Sequence, residues 1–134
     1  MFQGSESQPM SIAVRQTTDK GRGVFAMKSF VKGETIEQAP VIPIPADERK
    51  LIHQTVLRHY YFEWGENDDE AALVLGYGCL YNHSYQPNAA YIFRESECLI
   101  LFVALREILP NEEILINYNG ASGSHAPLWF DVAS

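Results

Sequence analysis

The chain has no apolar run long enough to cross a membrane as a helix, which needs about 20 consecutive apolar residues. Its amino-terminal residues are polar and lack the apolar segment of a secretory signal. We therefore expect no membrane partner and a cytoplasmic protein, or a nuclear one in a eukaryote. Its 134 residues fit one domain. We expect a disordered tail over residues 1–11 and a single domain over residues 12–134.

Cysteine is also scarce, since Cys79 and Cys98 are the only two. A closed structural zinc site takes four ligands, so a cysteine-rich zinc cluster is excluded. The histidines His53, His59 and His125 show no metal-ligand spacing, and we predict no metal site. Both cysteines lie in apolar stretches, which favours two buried thiols, with a single disulfide as the alternative.

Basic residues are outnumbered, with 10 Lys and Arg against 17 Asp and Glu and a formal net charge of −7. Phosphate binding requires a basic face, so nucleic acid is not the expected partner. The charge suits a basic peptide or protein, which it would attract over a distance. The acidic run at residues 66–70 is better explained as a solvated loop, so the charge permits a basic substrate without demonstrating one.

Hydrophobic patterning predicts a mainly β fold with one helical insert. Strands are predicted at residues 12–16, 23–27, 35–38, 99–105 and 114–117. Pro40, Pro43 and Pro45 should interrupt any regular ladder after the third strand. Apolar residues at three- and four-residue steps predict a helix over about residues 48–62, with Asp47 as its cap.

Polar side chains are concentrated at residues 82–84, between apolar runs at residues 71–75 and 89–93. Buried polar groups must find partners, so this segment is typical of a functional site. Two further motifs accompany it. The three motifs are Gly21-Arg22-Gly23 with Phe25, Asn82-His83-Ser84 with Pro87-Asn88, and Glu112-Glu113 with Tyr118.

In this order, the motifs resemble those of the SET-domain family of protein lysine methyltransferases. The resemblance extends over residues 12–119. It implies a fold of small curled β-sheets with a helical insert, in which the carboxy-terminal segment threads beneath a loop in a pseudoknot-like arrangement. Such threading is rare and could not be worked out from periodicity.

The resemblance also implies S-adenosyl-L-methionine as cofactor. Its binding residues would be the backbone of Lys20, Gly21, Arg22 and Gly23, the Asn82 side chain and the backbone around His83. The side chain of His83 would mainly hold the crossing segment in place. Trp129, with Phe130, would pack over the adenine or close the lysine channel, or simply dock the tail. Taken alone, the glycines would be better explained by a tight turn, and the other two motifs favour the cofactor interpretation.

Tyr118 is the expected catalytic residue, and Tyr91 is expected to line the lysine channel. Lysine has an ordinary pKa of about 10.4, and only its neutral amine can attack a methyl group. Burial in an aromatic channel favours the neutral form, and a tyrosine hydroxyl can orient the amine without being ionised. Tyr91, where some relatives carry Phe, indicates mono- or dimethylation. The simpler interpretation of Tyr118 is a strand tyrosine that anchors its hydroxyl.

The sequence departs from the family pattern at several positions. Tyr85 follows the motif where Cys is usual, and Asn117 precedes Tyr118 where Asp is common. Residues 37–40 lack the usual channel tyrosine, so we expect Tyr60, Tyr61 or Trp64 to supply that wall.

The sequence thus predicts an S-adenosylmethionine-dependent methyltransferase acting on a lysine-containing protein or peptide, which we expect to be basic. A catalytically inactive peptide-binding module and an enzyme acting on a non-protein amine are the alternatives. A hydrolase using His83 and Ser84 is disfavoured, because adjacent residues rarely form a nucleophile–base pair and no Gly-x-Ser-x-Gly elbow is present. Pairing with a second copy is left open.

Overall fold

The computed structural model describes residues 10–119, which form nine strands and three short helices within that range. The strands are β1 (Ile12–Gln16), β2 (Arg22–Ala26), β3 (Thr35–Ile44), β4 (Phe62–Trp64), β5 (Glu70–Val74), β6 (Asn82–His83), β7 (Ala89–Arg94), β8 (Leu99–Ala104) and β9 (Glu113–Ile116). The helices are α1 (Ala46–Ile52) and two 3-10 helices, Val56–His59 and Glu95–Glu97. Most of the predicted tail, and every residue after Asn119, lie outside the described range.

Two curled sheets make up the fold, and one of them joins all three motifs. The four-stranded sheet has the order β1-β2-β9-β6, and the five-stranded sheet has the order β4-β5-β3-β8-β7. β9 is antiparallel to β2 and parallel to β6, with Asn82 opposite Leu115 and His83 opposite Ile116. The strand carrying the last motif therefore lies between the strands carrying the first two. The expected threading stays a prediction, because it involves residues after Asn119.

The core is formed by residues from both sheets, and buried residues alternate along its strands. In β8, Ile100, Phe102 and Ala104 are buried and alternate with half-buried residues. Tyr81 belongs to this core and is only 1% exposed, with its ring stacked on Phe102 at 4.4 Å between centroids. The same core thus supports the segment that leads into Asn82.

Four predicted strands are confirmed to within about one residue at each end, and β3 is longer than predicted. β3 continues through Pro40 and Pro43, so the expectation that these prolines break the ladder was wrong. Residues 35–40 pair with β8, whereas residues 41–44 pair with β5. Each half of β3 therefore has one side without a ladder partner, where a proline nitrogen needs no acceptor.

The single helix predicted over residues 48–62 was wrong. α1 ends at Ile52, and a 3-10 helix follows from Val56. Thr55 separates the two because its hydroxyl accepts the N–H of Leu57, a local bond that competes with helix continuation. Asp47 is not the cap either, since Pro45 holds that position and Asp47 lies in the first turn.

The two cysteines differ in their surroundings. Both are free, with Cys79 half-buried and Cys98 exposed, so the expectation of two buried thiols was wrong for Cys98. Cys98 follows the second 3-10 helix with a φ of 53°, and this turn carries its side chain to the surface. Within residues 10–119, no helix is long and apolar enough to cross a membrane.

Candidate active site

The three motifs meet at the amide of Asn82. Its Nδ2 donates to the carbonyl oxygen of Arg22 at 3.0 Å and to Glu113 Oε2 at 2.7 Å. Both partners are acceptors, so the orientation of the amide is fixed and its Oδ1 remains an acceptor for another group. One residue from each motif takes part in this contact, which explains in physical terms why the motifs occur together.

The two glycines of the first motif serve different purposes. Gly21 has a φ of 72° and closes the turn before β2, where its carbonyl accepts the backbone N–H of Thr17 at 2.7 Å. Gly23 is buried, and a Cβ there would collide with Glu113 Oε2 and Asn82 Nδ2. Gly23 therefore allows the Glu113 carboxylate to reach Asn82.

His83 links β6 to the end of β9. The residue is 4% exposed, and its Nδ1 accepts the backbone N–H of Tyr118 at 3.0 Å. Burial, followed by the charge of Lys20, lowers the pKa of His83. In the neutral ring the proton is then on Nε2, which is buried and has no partner among the described residues. A ligand with an acceptor at this point would satisfy it.

Within residues 10–119, the residues around His83 form no nucleophile–base pair for hydrolysis. Ser84 Oγ accepts the backbone N–H of Gln86 at 3.0 Å, and His83 Nδ1 is bonded to Tyr118 rather than to Ser84. The described part of the chain therefore gives the hydrolase interpretation no support.

The side chain of Asn88, the last residue of the second motif, makes two hydrogen bonds to the main chain of β9. It is 2% exposed. Its Nδ2 donates to the carbonyl of Glu113 at 2.8 Å, and its Oδ1 accepts the N–H of Leu115 at 2.8 Å. The side chain thus pairs with β9 as a neighbouring strand would. We call Gly23, Asn82, His83, Asn88 and Glu113 the motif cluster.

An aromatic pocket of about 610 Å³ opens beside the motif cluster. Its lining includes Tyr60, Tyr61, Phe62, Tyr81, Tyr91, Phe93 and Tyr118. The Tyr118 hydroxyl donates to the carbonyl of Tyr81 at 2.6 Å, and the Tyr91 hydroxyl donates to the carbonyl of Tyr118 at 3.2 Å. The two tyrosines that the sequence singled out therefore lie in one pocket and are hydrogen-bonded to each other.

Both phenols remain protonated at neutral pH. Burial, with a smaller contribution from Glu63, raises the pKa of Tyr91 to about 12. Burial also raises the pKa of Tyr118 well above its ordinary value, and nearby acidic and phenolic groups add to the effect. Neutral hydroxyls can accept and donate hydrogen bonds in the pocket, but they do not act as bases.

The wall expected from the helical insert is present in part. Tyr60 and Tyr61 line the pocket, together with Phe62, whose ring meets that of Tyr91 edge-on at 5.1 Å. Trp64 does not line it, because Trp64 is 4% exposed and packs against Phe93 in the core. We call Arg49, His53, Tyr60, Tyr61 and Phe62 the insert wall.

Sequence reasoning missed two contributors to the site and could not place a third. Tyr81 supplies the acceptor for Tyr118, and its position directly before Asn82 was the available signal. Phe62 was assigned to the predicted helix and carried no signal of its own. The predicted adenine contact, Trp129, lies outside the described residues.

Within residues 10–119, no group of three or more His, Cys, Asp or Glu side chains could hold a metal ion. The side chains that converge here are amides, one carboxylate, an imidazole and phenols. Such a set suits an organic ligand that carries both hydrogen-bond donors and acceptors.

Comparison with known proteins gives three concordant results. The profile of the SET domain matches residues 21–119. A histone-lysine N-methyltransferase of Schizosaccharomyces pombe, specific for lysine 37 of histone H3, is 36% identical over 121 residues, which are 90% of this chain and 77% of the relative. The crystal structure of a candidate histone methyltransferase from Plasmodium falciparum has a TM-score of 0.67 and 32% identity, covering 83% of this chain and 95% of the other.

The family profile spans most of the chain, and each motif falls inside the matched range. The curled sheets also correspond to those of the solved relative. The chain belongs to the SET-domain family of protein lysine methyltransferases.

Proposed function

We propose that the protein transfers a methyl group from S-adenosyl-L-methionine to the side-chain amine of a lysine in a protein or peptide. One observation carries the proposal: the hydroxyls of Tyr118 and Tyr91 lie in an aromatic pocket directly beside the motif cluster. Family membership supports it, as does the named activity of the Schizosaccharomyces pombe relative.

The motif cluster fits this cofactor by the chemistry of its atoms. Asn82 Oδ1 can accept from an ammonium group, since both of its N–H groups are already used. The Glu113 carboxylate adds a negative charge beside it, and Nε2 of His83, which has no partner within residues 10–119, can donate to an acceptor. Lys20, Gly21, Arg22 and Gly23 would contribute backbone groups, and Trp129 would contribute its ring. When bound, the cofactor supplies an electrophilic methyl group.

The pocket residues would prepare the lysine. An aromatic, largely buried channel disfavours a charged ammonium and so favours the neutral amine that can react. The Tyr118 hydroxyl donates a hydrogen bond to the carbonyl of Tyr81. Its oxygen can therefore accept an N–H of the amine and turn the nitrogen lone pair toward the methyl group. Holding the reacting atoms in line accounts for much of the rate in such reactions.

The substrate we propose is a lysine in a basic segment, of which a histone tail is one example. Glu63 and Asp68 lie on the pocket, and the whole chain has a formal charge of −7. Arg49 and Arg58 lie on the same rim, so the attraction comes from the whole protein rather than from the rim alone.

Tyr91 would limit the extent of methylation. Its hydroxyl points to the carbonyl of Tyr118 and occupies space that a Phe at this position would leave empty. We therefore propose a mono- or dimethylated product.

Transfer from radiolabelled cofactor to histone and to lysine-containing peptides tests the proposal, with Tyr118→Phe as the informative variant. We expect turnover to fall about a hundredfold, the scale for loss of one preorganised polar contact, while calorimetry shows unchanged cofactor affinity. Tyr77→Phe removes a hydroxyl from a residue that does not line the pocket and should behave as the wild type. Mass analysis of the product reports the number of methyl groups.

The two alternatives give different results in the same assays. A peptide-binding module would bind lysine peptides without taking up cofactor or label. An enzyme for small amines would bind cofactor and label a free amine but no peptide. The first result would overturn the proposed activity, and the second would overturn the proposed substrate.

A further inference from the structure

Both oxygens of the Glu37 carboxylate accept hydrogen bonds from one segment of the chain, residues 77–81. This half-buried residue of β3 accepts the Tyr81 O–H at Oε1, at 2.7 Å, and the backbone N–H of Tyr77 at Oε2, at 2.9 Å. Hydrogen bonds to an ionised acceptor are shorter and stronger than neutral ones. The carboxylate thus fastens both ends of residues 77–81 to β3.

The fastened segment carries the acceptor for Tyr118. The Tyr81 carbonyl accepts the Tyr118 hydroxyl at 2.6 Å, while the Tyr81 ring is stacked on Phe102. The position of the Tyr81 main chain therefore determines where the Tyr118 hydroxyl is directed. Two hydrogen bonds connect Glu37 to Tyr118, although Glu37 itself does not line the pocket.

The neighbouring turn leaves room for this carboxylate. Gly76 has a φ of 66°, and a Cβ at that position would collide with Glu37 Oε2. Glu37 lies in residues 37–40, the stretch that lacks the family's usual channel tyrosine. The local structure is thus arranged around an acidic side chain at the place where the sequence departs from the family.

We propose that Glu37 is a positioning residue, which holds Tyr81 so that the Tyr81 carbonyl directs the Tyr118 hydroxyl into the pocket. This inference rests on the proposed function, because a rate effect requires Tyr118 to act on the lysine. Loss of Glu37 would leave the Tyr81 O–H and the Tyr77 N–H without acceptors in a buried place. Residues 77–81 would then shift, and the Tyr118 hydroxyl with them.

Single-turnover methyl transfer, peptide KM and cofactor affinity are compared for Glu37→Ala and Glu37→Gln. We expect Glu37→Ala to slow transfer by about tenfold to a hundredfold, the cost of a misplacement near 1 Å, with KM and cofactor affinity within about twofold of the wild type. Glu37→Gln should recover much of the rate, since its amide oxygen can still accept from Tyr81, although its NH₂ cannot accept from Tyr77.

Glu34→Ala is the matched control. Glu34 also accepts from one side chain and one backbone N–H, those of Lys28 and Val31, but it has no link to Tyr118. Its loss should leave the transfer rate unchanged. Equal rate losses in Glu34→Ala and Glu37→Ala, or a loss in Glu37→Ala that KM and cofactor affinity share and Gln does not rescue, would indicate a general structural effect and overturn the proposal.

A second readout does not depend on activity. Fluorotyrosine is incorporated into the full chain, and the ¹⁹F resonance that disappears in Tyr118→Phe is assigned to Tyr118. We expect Glu37→Ala to shift this resonance and Glu34→Ala to leave it in place. An unmoved resonance together with a wild-type rate overturns the role of Glu37. A shifted resonance in a protein that methylates no lysine overturns the proposed function and leaves the positioning contact standing.

Discussion

The insert wall lines the pocket and the motif cluster lies beside it, and the two regions are held together by different kinds of contact. In the motif cluster, Asn82 and Asn88 bond to backbone carbonyls and N–H groups of β2 and β9. In the insert wall, ring contacts between side chains are more prominent: the guanidinium of Arg49 lies over the Tyr61 ring, and Phe62 meets Tyr91 edge-on, although Arg49 also donates to the carbonyl of Asp68.

The two kinds of contact restrict the amino-acid sequence to different degrees. A buried bond from a side chain to the backbone requires an amide of one length at one position, so residue identity is narrowly specified. Ring contacts can be made by several apolar or aromatic residues in several geometries. The first kind of region produces a motif that can be detected in one sequence, and the second kind does not.

Replacement of Asn88 should give the largest effect and tests the motif cluster. Asn88→Ala leaves the carbonyl of Glu113 and the N–H of Leu115 without partners in the interior. At roughly 1–3 kcal/mol for each unsatisfied group, we expect about 3 kcal/mol less stability in urea unfolding. Asn67→Ala, at an exposed position, is the control. A loss no larger than that of the control would break the distinction between the two regions.

The prediction of the fold from sequence succeeded where a short apolar run or a motif marked the chain. β1, β8 and β9 each contain a continuous apolar run, and their bounds were close. It failed at β3, because the change of pairing partner at residue 41 is a tertiary feature that no local pattern shows. It failed again at residues 48–62, where the aromatic residues that suggested a helical stripe instead line the pocket and form β4.

The prediction of the site likewise succeeded for some residues and failed for others. Asn82, His83, Tyr91 and Tyr118 were each named from motifs, and the structure brings them together. The acceptor for Tyr118 was not foreseen, since it is a main-chain carbonyl and every residue has one. The sequence marks Glu37 only as part of a departure from the family pattern, because its role depends on a hydrogen bond to Tyr81, 44 positions away in sequence.

The pH dependence of stability gives an intermediate effect, again within the motif cluster. Because burial lowers the pKa of His83, the neutral ring is favoured in the folded protein. The contribution of His83 to the free energy of unfolding is full above its unfolded pKa of about 6.5. It is lost as the pH falls below that value, because the unfolded chain then binds the proton more readily than the folded protein does. The slope from this one group cannot exceed about 1.4 kcal/mol per pH unit.

His83→Asn is the variant that isolates this effect, because its side-chain oxygen can replace Nδ1 as the acceptor for Tyr118 but does not titrate. Urea unfolding of both proteins between about pH 7.5 and pH 5 should show a smaller loss of stability in the variant. Above about pH 7, the free energies of unfolding of the two proteins should change with pH in the same way. Equal slopes over the acidic range would mean that His83 does not favour the neutral form.

Replacement of Arg49 should give the smallest effect on stability and tests the insert wall. Arg49 donates to the Tyr61 hydroxyl at 3.1 Å and to the carbonyl of Asp68 at 2.7 Å, yet its side chain is still 23% exposed. Polar contacts of partly exposed side chains contribute little to the free energy of unfolding, so Arg49→Ala should cost under about 1 kcal/mol of stability. Because Tyr61 lines the pocket, we expect a higher peptide KM with unchanged turnover, and Lys50→Ala, one residue along α1, should change neither. A drop in turnover would mean that the insert wall fixes the reacting atoms as closely as the motif cluster does, and the contrast between the two regions would then be one of sequence signal alone.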